Sequence, residues 1–200
     1  MDEVVEIPGV PLRMSWIERP VEHRTGDRTL AMRAAGGTSW FSDPAGTRTV
    51  FSAPALLGRA GGDCQLSAKV EVDFASTFDA AALVILGDDH HWAKLCFELS
   101  PDAEPMVVSV VTREVSDDCN SFVIDDDAVW LRLARMGDAL AFHASTDAAR
   151  WRLVRYFSLG ATRELALGLL AQSPTGSGCG VTFSEIVYVP ERLTDLRGGT

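Results

Sequence analysis

The stretch Gln65-Leu66-Ser67-Ala68-Lys69-Val70-Glu71-Val72-Asp73-Phe74 decides the fold. Leu66, Ala68, Val70, Val72 and Phe74 share one parity, and Ser67, Lys69, Glu71 and Asp73 share the other. Side chains along an extended strand point alternately to opposite faces. A period of two therefore marks a strand with one face buried and one in water. Short runs of the same character recur on both sides of this one. Upstream lie Trp16 to Arg19, Thr29 to Arg33 and Thr47 to Ser52. Downstream lie Ala81 to Leu86, Trp92 to Leu99, Met106 to Arg113, Val129 to Arg135, Ala139 to Ser145, Trp151 to Phe157, Glu164 to Ala171 and Gly180 to Val189.

Gly, Pro, Asp and Ser clusters separate these runs, and helical periodicity is almost absent. That pattern predicts an all-β, antiparallel two-sheet sandwich. The runs are too many for an immunoglobulin-like unit and suit the larger sheets of a jelly roll. Ala81 to Leu86 is apolar on both parities, as a central strand covered on both faces should be. Met136-Gly137-Asp138 is expected to turn a hairpin, because Gly supplies the positive φ that a tight turn needs. Pro101 to Pro105 is expected to join another pair of strands. Gly176-Ser177-Gly178-Cys179-Gly180 reads as a hairpin loop, and the tail after Pro190 as extended or frayed.

Bulk properties narrow the function classes. The chain has 200 residues, 46% of them hydrophobic and 23% charged. We expect one domain over residues 1–200, with its core at about 16–189. A formal net charge of −10 argues against nucleic acid and against anionic membrane surfaces, both of which require clustered Lys and Arg. No apolar stretch approaches the length of a membrane span. The start Met-Asp-Glu-Val-Val-Glu-Ile-Pro lacks a basic stretch followed by an apolar run, so the expected location is cytoplasmic. Cys64, Cys96, Cys119 and Cys179 are widely spaced and none forms a CxxC pair, so free thiols are expected and zinc is not.

The order of motifs along the chain resembles domain-of-unknown-function family 1349, which includes the regulation-of-enolase group. The carriers are Thr38-Ser39-Trp40-Phe41, Phe78-Asp79-Ala80-Ala81, His91-Trp92-Ala93-Lys94-Leu95 with Phe97-Glu98, and Val110-Val111-Thr112 with Ser116-Asp117. Trp130-Leu131-Arg132-Leu133 before Gly137-Asp138, Asp147, Trp151, Gly168-Leu169-Leu170-Ala171, Ser173-Pro174 and Val181-Thr182-Phe183 complete the series. Ser39 and Ala80 depart from the residues usual in the family, Asp and Gly. The resemblance implies a sandwich of the concanavalin A-like lectin/glucanase kind. It implies little about activity, because that fold carries lectins, glycosidases and inert appendages alike.

Three constellations could carry chemistry. Glu71-Val72-Asp73-Phe74 resembles the opening of the paired-carboxylate signature of sandwich glucanases, in which a retaining mechanism needs two carboxyl groups about 5 Å apart. The second Glu of that signature is missing, with Ala75 and Ser76 in its place. No catalytic residue is therefore nominated, and a glycoside hydrolase stays an alternative. Next, Trp92, Lys94, Cys96 and Glu98 share one strand face, while Trp130 and Arg132 repeat the arrangement and His143 alternates with Phe142 and Ala144. If these strands adjoin in one sheet, Trp92, Lys94, Glu98, Trp130, Arg132 and His143 form a concave carbohydrate-binding face, with rings stacking on sugar C–H groups and charges meeting hydroxyls. The same residues read otherwise as a cross-strand charge ladder and core aromatics. Lastly, Asp88, Asp89 and His91 are weak candidates for a metal, in a segment that is also ordinary turn chemistry.

The leading expectation is a lectin-like, non-catalytic domain with a carbohydrate ligand and no cofactor. The alternative from another class is a cytoplasmic interaction module for a protein partner, a metabolic enzyme. Pairing of sheet faces or edges into a homodimer is a further expectation.

Overall fold

The computed structural model describes residues 4–59, 61–160 and 164–199. Among the described residues seventeen strands form and no helix does. An eight-stranded antiparallel sheet runs from edge to edge as β1 (Val4–Glu6), β2 (Arg13–Trp16), β7 (Ala55–Arg59), β16 (Ala166–Gln172), β9 (Ala80–Asp88), β10 (His91–Leu99), β11 (Pro105–Arg113) and β12 (Val115–Val123). A seven-stranded sheet runs as β15 (Arg152–Phe157), β14 (Ala139–Ser145), β13 (Ala128–Met136), β8 (Cys64–Val72), β17 (Gly178–Val189), β4 (Thr29–Ala35) and β3 (Glu22–Gly26). A separate pair, β5 (Trp40–Ser42) and β6 (Thr49–Phe51), completes the set. The two large sheets make the expected all-β sandwich.

The alternation in β8 is realised as read: Leu66, Ala68 and Val70 are wholly buried between the sheets. They meet Leu83 and Ile85 of β9, Ala93, Leu95 and Phe97 of β10, and Leu131 and Leu133 of β13 in one continuous core. Each fully buried aliphatic or aromatic side chain contributes roughly 1.5–3 kcal/mol, so this cluster is the main source of stability. β9 and β10 are buried on both parities because a second apolar cluster lies outside the eight-stranded sheet. There Trp40, Leu57, Val84, Trp92, Val108, Val110 and Leu170 pack together beneath the β5–β6 pair. Trp40 stacks on Phe51 at 4.0 Å, meets Trp92 edge to face at 5.7 Å, and donates its indole N–H to the Ala53 carbonyl at 3.2 Å.

Several expectations need correcting. The run Trp16 to Arg19 begins where its strand ends, since the strand is Arg13–Trp16. Gly176 to Gly180 is not a hairpin loop: β16 and β17 lie in different sheets, the chain crosses the sandwich between Gln172 and Gly178, and Gly178 to Gly180 already pair with β4. The tail after Pro190 is not frayed. Leu193 is buried with Ala134, Met136 and Ala141 on the outer face of the seven-stranded sheet, and Asp195 accepts hydrogen bonds from the backbone N–H groups of Arg197 and Gly198. The Gly137 hairpin stands as expected, with φ +64° between β13 and β14. All four cysteines are free, and all but Cys119 are buried.

Candidate functional site

An open cleft of about 290 Å³ lies on the outer face of the eight-stranded sheet, between β10, β11 and β12 and the β5–β6 pair. Its position follows from strand register. Lys94 of β10 lies opposite Val84 of β9 and Val110 of β11, and Val110 lies opposite Asp118 of β12. Two rows further along, past Cys96 and Ala82, Glu98 lies opposite Ala80, which lies opposite Gln172 of β16. Lys94, Glu98, Gln172 and Asp118 therefore emerge on the same face. Ala80 and Ala82 between them are too small to stand in the way, so the long side chains reach one another across the sheet.

The contacts are polar and mostly buried. Lys94 is only 2% exposed and donates from Nζ to Oε1 of the equally buried Gln172 at 2.7 Å. Gln172 Nε2 donates to the Phe78 carbonyl at 3.3 Å and towards Glu98 Oε2 at 3.4 Å. Burial pushes the Glu98 carboxyl up to about 7, with nearby Lys94 opposing and Asp118 reinforcing the shift. Asp118 stands at the rim. Its carboxyl is also raised, chiefly by desolvation against the cleft wall, with Lys94 again opposing. Among the described residues no carboxylate lies within ion-pairing distance of Lys94. An ammonium group has three protons, and a neutral amide takes one of them. A buried cation with spare donors is costly unless something else receives them.

Phe41, Val50, Phe78, Val110 and Pro174 form the apolar part of the lining, and Asp43, Thr47 and Arg48 stand at the lip. The β5–β6 wall is tied down: Ser42 Oγ donates to the Glu114 carbonyl at 2.8 Å, and the Ser42 N–H donates to Ser116 Oγ at 2.9 Å.

The carbohydrate-binding face expected from the sequence does not assemble as a unit. Trp92, Lys94 and Glu98 lie on β10 of the eight-stranded sheet, whereas Trp130, Arg132 and His143 lie on β13 and β14 of the other. In each strand the opposite parity fills the shared core, so the two sets face outward on opposite sides of the sandwich. Trp92 is 1% exposed, locked in the second apolar cluster, and offers no stacking surface. Arg132 and His143 are sealed beneath the C-terminal segment. Arg132 Nη2 donates to the Gly199 carbonyl at 2.6 Å and its guanidinium lies 4.2 Å from the centre of the Trp151 ring, while His143 Nε2 donates to the Leu196 carbonyl at 2.9 Å. Burial lowers both, Arg132 to about 10. Trp130 donates its indole N–H to Glu185 Oε2 at 3.2 Å beneath Lys69. Only Lys94 and Glu98 of the nominated set reach the cleft.

Sequence reasoning missed Gln172, Asp118 and Phe78. Gln172 had a signal, as the lone amide ending the apolar run Ala166-Leu167-Gly168-Leu169-Leu170-Ala171. Asp118 had none, because β12 is polar on both parities. Of the metal candidates, Asp88 Oδ1 meets His91 Nδ1 at 2.8 Å and accepts the His90 N–H at 2.9 Å, which closes a turn. These contacts hold the Asp88 carboxyl below its ordinary range. Among the described residues no three metal-ligating side chains converge. Glu71 is exposed on the seven-stranded sheet and pairs with Lys69 at 3.5 Å, far from the cleft.

Comparison with known proteins adds a family and a fold. The model of a family described as "Protein of unknown function (DUF1349)" matches residues 16–190. The Saccharomyces cerevisiae protein "Regulation of enolase protein 1" is 33% identical over 119 residues, which span 58% of this chain and 59% of that protein. A crystal structure of a functionally unknown S. cerevisiae protein superposes with a TM-score of 0.82 at 25% identity, covering 88% of this chain and 95% of that one. The GH43 protein BlXynB from Bacillus licheniformis shares the fold at a TM-score of 0.70 and 14% identity, covering 89% of this chain and 37% of its own.

Proposed function

The chain belongs to the DUF1349 family, and from that premise we propose that it is a non-catalytic recognition domain which binds a small carbohydrate-type ligand in the cleft around Lys94. The observation that carries this reading is the buried lysine in the cleft lining, which donates to the neutral Gln172 and lies 5.9 Å from the centre of the Trp92 ring, with no carboxylate among the described residues within ion-pairing distance. Hydroxyl groups suit such a site because each both accepts and donates. A vicinal pair can accept from Lys94 and donate to Glu98 or Asp118, while the apolar lining takes the C–H face of a sugar. The volume lies near the lower end of the roughly 300–1,000 Å³ common for ligand pockets, which suits one or two sugar rings.

Isothermal titration calorimetry with neutral mono- and disaccharides tests the reading on the wild-type chain and on Lys94→Met and Asp118→Asn. Saturable binding that weakens at least tenfold in Lys94→Met is expected. Absence of heat with every sugar, or equal affinity in Lys94→Met, contradicts it.

A second reading is favoured by one observation, the identity to a protein named for regulation of enolase. In it the domain is an interaction module for a metabolic enzyme. Sedimentation of the chain mixed with purified enolase separates the two readings, a stoichiometric complex supporting the second. The glycoside-hydrolase alternative has less support, since Ala75 and Ser76 stand where the second Glu of the signature should be and neither Glu71 nor Asp73 lines the cleft. Turnover of a chromogenic glycoside would restore it through other carboxylates.

A further inference from the structure

Phe78 lies on the connection between β8 and β9, at the lip of the cleft, with φ +68°. A bulky side chain rarely adopts that backbone conformation, which costs strain and persists only where the surroundings over-determine it. Here they do. The Phe78 N–H donates to the Leu99 carbonyl at 2.8 Å, and its own carbonyl accepts from Gln172. Next to it the wholly buried Asp79 clamps the loop: Oδ2 accepts from the N–H groups of Ala75 and Ser76 at 3.0 and 2.9 Å, and Oδ1 accepts from Ser173 Oγ at 2.6 Å. Thr175 Oγ1 donates to the Thr77 carbonyl at 2.6 Å and ties the same loop to the crossover after β16. This clamping leaves Phe78 37% exposed in the lining it shares with Lys94, Glu98 and Gln172. A loop held so firmly could bury an apolar ring, yet it presents one.

We infer that Phe78 is the specificity determinant of the cleft, a stacking platform that selects ring-form pyranosides over open-chain polyols. The inference rests on the carbohydrate reading above and deepens it. The face of an aromatic ring carries negative charge density and attracts the weakly positive C–H groups of a flat sugar face. A pyranoside presents those groups as a rigid patch. An alditol with the same hydroxyl chemistry has to freeze several bonds to do so and loses affinity to that ordering. Lys94, Glu98 and Asp118 then recognise hydroxyls as such, and Phe78 discriminates by ring shape.

The test is calorimetric titration of the full chain with methyl pyranosides of glucose, galactose, mannose and xylose, and with sorbitol, galactitol, mannitol and xylitol. Wild type is expected to bind at least one pyranoside tenfold or more tighter than its alditol. Phe78→Leu keeps the strained backbone and an apolar side chain but has no ring face. It is expected to lose about tenfold in pyranoside affinity and most of the discrimination, whereas Phe78→Trp keeps both. Wild-type discrimination in Phe78→Leu overturns the platform role and leaves carbohydrate binding standing. Failure of wild type to bind any pyranoside removes both. Should Phe78→Leu not fold, Phe78→Trp supplies a second readout. Its added indole should change emission on pyranoside titration and not on alditol titration, and an unchanged emission overturns the inference.

Discussion

Lys94 and Arg132 are both buried cations on strand positions that alternate with core leucines, and nothing in their local sequence separates them. Their surroundings do. Lys94 opens on a cleft, and Arg132 ends on the Gly199 carbonyl under the C-terminal segment. Alternation tells which parity leaves the core, so the shared outward face of Trp92, Lys94 and Glu98 was legible. It does not tell what covers that face, which depends on segments distant in the chain. That is why Trp92 reads as a ligand platform in the sequence and is a core residue in the structure. Replacing it by Ala should cost roughly 3–5 kcal/mol in urea denaturation. Unchanged stability with loss of ligand binding would contradict its assignment to the core.

Glu98 gives a prediction with a definite sign. Its carboxyl is raised to about 7 from an ordinary value of 4.5, mainly by burial. Between those values the folded state holds more protons than the unfolded one, so stability falls as pH rises through the window and the loss is complete above about 7. Glu98→Gln cannot ionise. Calorimetric melting should show it more stable than wild type at pH 8, with the gap closing by pH 4. His143 has the opposite slope. Its folded value lies below 6.5, so its neutral form favours the fold above that pH and stability declines as pH falls.

At the scale of elements, strands with period-two or continuous apolar character were legible, and two kinds were not. β12 reads Val-Ser-Asp-Asp-Cys-Asn-Ser-Phe-Val, an edge strand wet on nearly every side chain, so no apolar period marks it. β7, Ala-Leu-Leu-Gly-Arg, is buried on both parities and too short to distinguish from other apolar segments. The sheet tolerates β7 beside β16 through Gly168. A Cβ built there would fall 1.9 Å from the Leu56 carbonyl oxygen, which is backbone and cannot give way cheaply. Gly168→Ala should therefore cost more than about 3 kcal/mol, or abolish folding, by urea denaturation. A near-neutral result would mean that β7 and β16 are further apart than described. The crossover from β16 to β17 misled for a related reason: glycine-rich segments announce a reversal of the chain but not whether it stays within one sheet.

Over the whole molecule, the sandwich followed from pattern alone, because a core between two sheets needs only correct parities along each strand. The site depended on which strands share a sheet, and topology of that kind leaves little trace in local sequence. Strands β10 and β13 look alike as sequence and face opposite ways in space. One outer face is roofed by β5 and β6 and keeps a cleft, while the other is covered in part by the residues after Pro190. Among the described residues no helix is long and apolar enough to cross a membrane.

The decisive measurement is therefore one that tells the two faces apart: nuclear magnetic resonance mapping of amide and side-chain shifts during titration with methyl pyranosides. Saturable shifts at Lys94, Glu98, Gln172, Asp118 and Phe78, with Trp130, Arg132 and His143 unmoved, are what the cleft predicts. Shifts centred on those last three residues, or none anywhere at millimolar sugar, would contradict it.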